Sequence, residues 1–126
     1  MANVIGIGGI FFKAKDGALL RDWYARVLGF KIEEWGGAVF SPAAQAHIAG
    51  AHQVWSPFKA ETTYFAPSTR DFMVNLMVDD MDGMLARCAR EGVVPTWRDD
   101  ADTNGRFAHI LDPEGTKIEL WQPKKP

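Results

Sequence analysis

"FAHILDPEGTKIELWQP", residues 107–123, holds two apolar runs on either side of an Asp-Pro-Glu-Gly break. "RFAHILD" and "TKIELWQ" are rich in β-branched and aromatic residues, and turn formers separate them, so both read as strands. In the second run, side-chain alternation puts Lys117, Glu119 and Trp121 on one face and Ile118 and Leu120 on the other. Glu119 is the one acid in that strand, and an isolated charge there calls for a partner.

Working outward, "DFMVNLMV" (71–78) reads as another strand. Asp79 and Asp80 precede a helix carrying Met81, Met84, Leu85 and Cys88, which stops at Gly92, and "VVPTWR" follows as a strand. The paired carboxylates read as a helix cap and dipole partner rather than a metal site. Asp99, Asp100 and Asp102 lead into a Thr-Asn-Gly turn. They lack the closing Glu of a calcium loop and read as a solvated loop.

The first half repeats this plan. "VIGIGGIFFKA" (4–14) reads as a strand. Its glycines are followed by neither Lys-Ser/Thr nor an immediate helix, which argues against a phosphate loop. Asp16 caps a helix with Leu19, Leu20, Trp23, Tyr24 and Val27 at helical spacing, ended by Gly29. "FKIEEW", "AVFSP" and "HQVWSPF" read as short strands, and the polar, proline-bearing stretch Pro57–Asp71 as a linker. Asp16 and Asp80 stand 64 positions apart. Trp55 and Trp121, and Pro57 and Pro123, stand 66 apart, which pairs Gln53 with Glu119. Each half reads βαβββ, an internal repeat. The expected fold is α+β, two such modules in a pseudo-twofold arrangement with curled mixed sheets around a cavity. The expected organisation is one domain over 1–126, with module one at about 1–58, a linker at about 59–70 and module two at about 71–126.

Composition bounds the function. The chain has 126 residues, 47% apolar and 24% charged, with net charge −2 and scattered cations, which gives no footprint for nucleic acid or an acidic membrane. No apolar run approaches a membrane span. The single Cys88 cannot form an internal disulfide and reads as a small core hydrophobe, which with the absence of a leader pattern points to the cytoplasm. Five Trp and eight Phe are many for this length and suit an aromatic-walled pocket.

The chain resembles the vicinal oxygen chelate superfamily of glyoxalase I, bleomycin-resistance proteins and extradiol dioxygenases. "FFKAKDGALLRDWYARVLGF" is similar to that family's first strand, helix and "YxxxLGF" ending. "MVNLMVDDMDGMLAR" is similar to the start of its second module, and "FAHILDPEGTKIELWQP" to its closing "DPxGxxIEL" hairpin. The resemblance implies two βαβββ modules around a cavity, a homodimer, and a divalent metal held by two opening-strand and two closing-strand residues. Carried over residue by residue, the closing ligand is Glu119 and its mate in the first half is Gln53. The opening-strand positions fall on Gly9 and Met73. Glycine offers no ligand, and a thioether suits hard or borderline metals poorly. Only Glu119 and Gln53 remain as metal candidates, too few for a site that needs three or four. The expectation is therefore a pocket without the family metal.

Strand alternation and the resemblance together line that pocket with Phe11, Lys13, Gln53, Trp55, Met73, Asn75 and Trp121 as ligand-binding residues, and with Glu119 and His109 as catalytic candidates. His109 has two readings, a core histidine satisfied by a hydrogen bond or a pocket donor or base beside Glu119. His47 and His52 read as solvated. Lys13 hints at an anionic or polar tail on the ligand. The first functional expectation is binding of a small aromatic or amphipathic molecule. The alternatives are a glyoxalase-type lyase or isomerase with Glu119 as base, and a dimeric module whose cavity is filled by side chains.

Overall fold

The computed structural model of the protein describes residues 2–125. Its regular elements are helix α1 (Gly17–Leu28), a short helix α2 (Pro42–Gln45), strand β1 (Val74–Met77), helix α3 (Met81–Arg90), and strands β2 (Trp97–Asp102), β3 (Gly105–Leu111) and β4 (Lys117–Pro123). The fold is α+β, with one open four-stranded mixed sheet in the order β1-β4-β3-β2. β1 runs parallel to β4, and the other two pairs are antiparallel.

Both long helices begin where a carboxylate can take up an unpaired backbone donor. Asp16 accepts from Leu19 N at 3.1 Å, and Asp80 from Gly83 N at 3.1 Å. α1 ends at Gly29 with φ +75°, the left-handed turn that glycine takes without a Cβ penalty. α1 buries Leu20, Trp23, Val27 and Leu28, and α3 buries Met81, Leu85 and Cys88. All of these but Leu20 meet Ala108, Ile110, Ile118 and Leu120, the helix-facing residues of β3 and β4. Met81, Ile110, Ile118, Leu120, Val27 and Cys88 are fully buried. Each large aliphatic side chain among them contributes about 1.5–3 kcal/mol. Burial pushes the Cys88 thiol above its ordinary range, in keeping with a core role.

The Asp-Pro-Glu-Gly turn ties the two halves together. Asp112 Oδ1 accepts Glu114 N and Thr116 N at 2.8 and 3.0 Å, which closes the turn. Its Oδ2 accepts the Tyr24 hydroxyl of α1 at 2.6 Å. Glu114 then accepts Lys15 N and Asp16 N at 2.9 and 3.0 Å, at the foot of α1. Those two N–H groups hold the Glu114 carboxyl below its ordinary value.

The second half forms the expected βαβββ order, but its second strand runs over Trp97–Asp102 rather than over the expected 93–98. The first half does not complete its copy. α1 forms, but 4–14 and the expected strands at 30–35, 38–42 and 52–58 join no ladder, and Pro42–Gln45 is a short helix. A strand needs a partner edge for its backbone groups, and within the described residues of one chain these segments have none. The acid run 99–102, expected as a loop, is instead part of β2, with an irregularity between Asp99 and Asp102. Asp100 is balanced there by Arg98 and Arg106, at 2.9 and 3.0 Å. Among the described residues, no helix is long and apolar enough to cross a membrane.

Candidate functional site

The sheet face turned away from the helices carries one polar row across all four strands. Register places Asn75 of β1 beside Glu119 of β4, Glu119 beside His109 of β3, and His109 beside Trp97 of β2. The alternation that buries Ile118 and Leu120 under the helices forces Glu119 onto this face.

Glu119 is held by three donors. Asn75 Nδ2 donates to Oε1 at 2.9 Å, and His109 Nε2 lies 2.7 Å from Oε2. The Tyr64 hydroxyl donates to the same Oε2. Burial pushes the carboxyl up, but hydrogen bonds from His109, Tyr64 and Asn75 outweigh it and leave Glu119 below its ordinary value. Its side chain is only 12% exposed and that of His109 only 4%, so an ionised carboxylate is kept nearly dry by its donors. Burial and the bond to Glu119 push the Tyr64 hydroxyl up, so it stays a donor.

Tyr64 comes from the stretch that reads as a mere linker. Lys117 explains its placement. The Lys117 ammonium is buried and donates to the carbonyls of Tyr64 and Ala66 at 2.6 and 3.0 Å, which staples the linker to the foot of β4. Burial lowers the Lys117 pKa, partly opposed by Glu119. Aromatic rings enclose the row. Trp97 lies over His109 at 4.4 Å between ring centroids, Tyr64 meets His109 edge-on at 5.4 Å, and Phe58 stacks on Tyr64 at 5.5 Å. The sequence offered one signal for this, the aromatic pair in "TTYFAP" within an otherwise polar linker.

The other expected site residues are placed as follows. Trp121 is buried, stacks on Phe107 and donates Nε1–H to Asn104 O at 3.0 Å, with His52 edge-on to its ring at 4.9 Å. Met73 is half-buried just ahead of β1, two residues before Asn75. Gln53 accepts Ile7 N at 2.8 Å and is occupied within the first half. Phe11 and Trp55 are 92% and 82% exposed, and Lys13 is exposed as well. Glu119, His109 and Asn75 are therefore brought together, with Tyr64 and Trp97 added, while the first-half residues remain apart from them. The four-stranded sheet is open at both edges and does not curl around the expected cavity. Two shallow concavities, about 400 Å³ at Pro42–Ala51 and about 280 Å³ at Asp100–Lys125, are lined by none of the residues in the row.

The two metal candidates, Glu119 and Gln53, both already accept protein donors. Both Glu119 oxygens already accept N–H or O–H groups, and the Gln53 oxygen is spent on Ile7. No group of three or more His, Cys, Asp or Glu among the described residues is arranged as a metal site.

Residues 9–121 match the family model described as a glyoxalase-like domain. None of the curated proteins matches the chain. Among solved structures, TnmS3, an antibiotic binding protein from Streptomyces sp. CB03234, is 25% identical over 87% of this chain and 88% of its own, with a TM-score of 0.53. A protein from the mobile metagenome of V. Pseudocholerae is 18% identical over 98% and 100%, with a TM-score of 0.56. A glyoxalase/bleomycin resistance protein from Catenulispora Acidiphila DSM 44928 is 28% identical, but over only 41% of this chain and 48% of that one, with a TM-score of 0.36. The family match spans nearly the whole chain and agrees with the α+β architecture and the closing hairpin, so the protein belongs to the glyoxalase-like domain family.

Proposed function

We propose that this protein binds a small aromatic or amphipathic molecule on the Glu119 face of its sheet, without the family metal. The observation that carries this reading is the row Asn75–Glu119–His109–Trp97, capped by Tyr64. A few fixed polar groups sit among ring faces, the make-up of a small-molecule site. Glu119 and Asn75 orient a polar group of the ligand, and Trp97, Tyr64 and Phe58 supply its apolar wall. The similarity to TnmS3, described as an antibiotic binding protein, supports the same class of role.

The catalytic alternative, proton abstraction by Glu119, has less support. A general base works best with a pKa near the working pH, and the three donors move Glu119 the opposite way.

The test is a titration with 1-naphthol, a planar aromatic with one hydroxyl, followed by tryptophan fluorescence and calorimetry. Saturable binding with Kd below about 1 mM, near −4 kcal/mol, is expected, weakened at least about tenfold by Glu119→Gln. Absence of saturable binding to the wild type, or equal binding by the variant, would count against the reading.

A further inference from the structure

Glu119 is not saturated by its three donors. An ionised carboxylate offers about four acceptor positions. Oε2 takes two donors, His109 Nε2 and the Tyr64 hydroxyl, and Oε1 takes one, Asn75 Nδ2. One position is left on Oε1. Asn75 is exposed, and among the described residues its own Oδ1 accepts nothing. Two open acceptor positions therefore stand side by side across β1 and β4.

The charge is also uncompensated. Tyr64 and Asn75 are neutral donors, which stabilise the carboxylate without cancelling its charge. Among the described residues its one ion-pair partner is His109. Lys117 stands two positions away on the same strand face, but its ammonium is held by the Tyr64 and Ala66 carbonyls. Burial, the bond to Glu119 and the field of Asp102 all raise the Tyr64 hydroxyl, so a second carboxylate is felt at the same place. Ring faces surround this negative centre and remain accessible. Trp97 packs on His109 and Phe58 on Tyr64, yet Trp97 is 44% exposed, Phe58 49% and Tyr64 40%. A carboxylate takes the N–H groups of an organic ammonium, and the negative faces of the rings attract its charge. An anionic group would meet like charge from both.

We propose that the Glu119 face selects a cationic ligand, an aromatic molecule bearing a protonated amine. Its ammonium donates to Glu119 Oε1 and Asn75 Oδ1, and its ring system lies against Trp97 and Phe58. The inference rests on the reading of that face as the ligand site and adds the charge of the ligand, which an aromatic wall alone does not fix. It reverses the anionic tail at which Lys13 hinted, since Lys13 is exposed and apart from the row. Glu119 is then the residue that sets specificity, through a charge that its neutral donors preserve.

The test titrates the full chain with three compounds of one ring system and different charge: 2-(1-naphthyl)ethylamine, 2-(1-naphthyl)ethanol and 1-naphthylacetate. It is run at about pH 8, where alkylamines are ordinarily protonated and imidazoles neutral. The amine is expected to bind at least about tenfold tighter than the alcohol, and the acetate at least about tenfold more weakly than the alcohol. Raising the salt from about 0.05 M to about 0.5 M should weaken the amine at least about threefold and leave the alcohol within about twofold. That comparison is made on the wild type and needs no variant to fold. Glu119→Gln should bring the amine and the alcohol within about threefold of each other. Equal binding of amine and alcohol by the wild type, or tightest binding of the acetate, overturns the cation and leaves the ligand site standing. An amine preference kept by folded Glu119→Gln overturns Glu119 as its source. Failure of all three compounds and of 1-naphthol to bind removes the ligand reading, and this proposal with it.

Discussion

His109 and Glu119 face each other across the antiparallel β3–β4 pair, with Nε2 2.7 Å from Oε2. Directly opposed strand positions hold their side chains within reach by backbone geometry alone. The pair is nearly buried, so its bond is protected from water, and losing either partner strands the other.

Glu119→Gln should therefore cost stability as well as binding. The amide cannot accept from three donors as a carboxylate does, and stranded buried groups cost about 1–3 kcal/mol. Thermal unfolding should shift down by about 4–10 °C, measured by circular dichroism at neutral pH. An unshifted midpoint would show that the three donors find water instead.

The same residue predicts a pH dependence. Its folded pKa lies below the ordinary 4.5, so the unfolded chain binds a proton first as the pH falls. The stabilisation is complete above about pH 5 and is lost as the pH drops through the folded value. The stability difference between wild type and Glu119→Gln, read from urea unfolding, should shrink from pH 6 towards pH 3. A difference that grew on acidification would contradict the three-donor description.

Tyr64→Phe isolates one of those donors. The ring and its stacking on Phe58 remain while the hydroxyl is lost. A net cost of about 1–2 kcal/mol is expected in urea unfolding, and the Glu119 carboxyl should titrate higher than in the wild type by NMR. An unchanged carboxyl titration would remove Tyr64 from the site.

Lys117→Met tests the staple on the linker. Two carbonyls lose their donor, and the 58–70 segment is released from the foot of β4. Limited trypsin digestion should cut faster after Lys59 and Arg70 than in the wild type, at equal global stability per cut. Cutting at the wild-type rate would show that packing alone holds the linker.

Chelation provides a further check. With both Glu119 oxygens already bonded to protein donors, EDTA should leave 1-naphthol binding unchanged, and added zinc or manganese should bind without stoichiometry at Glu119. A stoichiometric metal lost with Glu119→Gln would reverse the donor-set argument.

The second module was legible in advance because its signals are local. Asp80 caps α3, Met81, Leu85 and Cys88 recur at helical spacing, and the alternation in 117–121 separates Glu119 from Ile118 and Leu120. Strand alternation, with the register that the resemblance implies, likewise put His109, Asn75 and Glu119 on one face. Tyr64 was missed because its contacts span 45 and 55 residues of chain. They depend on Lys117 holding a segment with no periodicity of its own. Asp100 was read as a solvated loop residue because its partner Arg106 lies across a turn that only strand pairing closes.

The amino-acid sequence by itself determined the two long helices, their caps, the strands β1, β3 and β4 and the face on which Glu119 stands, because each follows from spacing along the chain. Only the tertiary structure decided what Glu119 meets, that Trp121 donates to Asn104, and that the first-half segments join no ladder among the described residues. Those outcomes depend on which edges and donors come together in space, and a strand pattern states a capacity to pair without naming the partner.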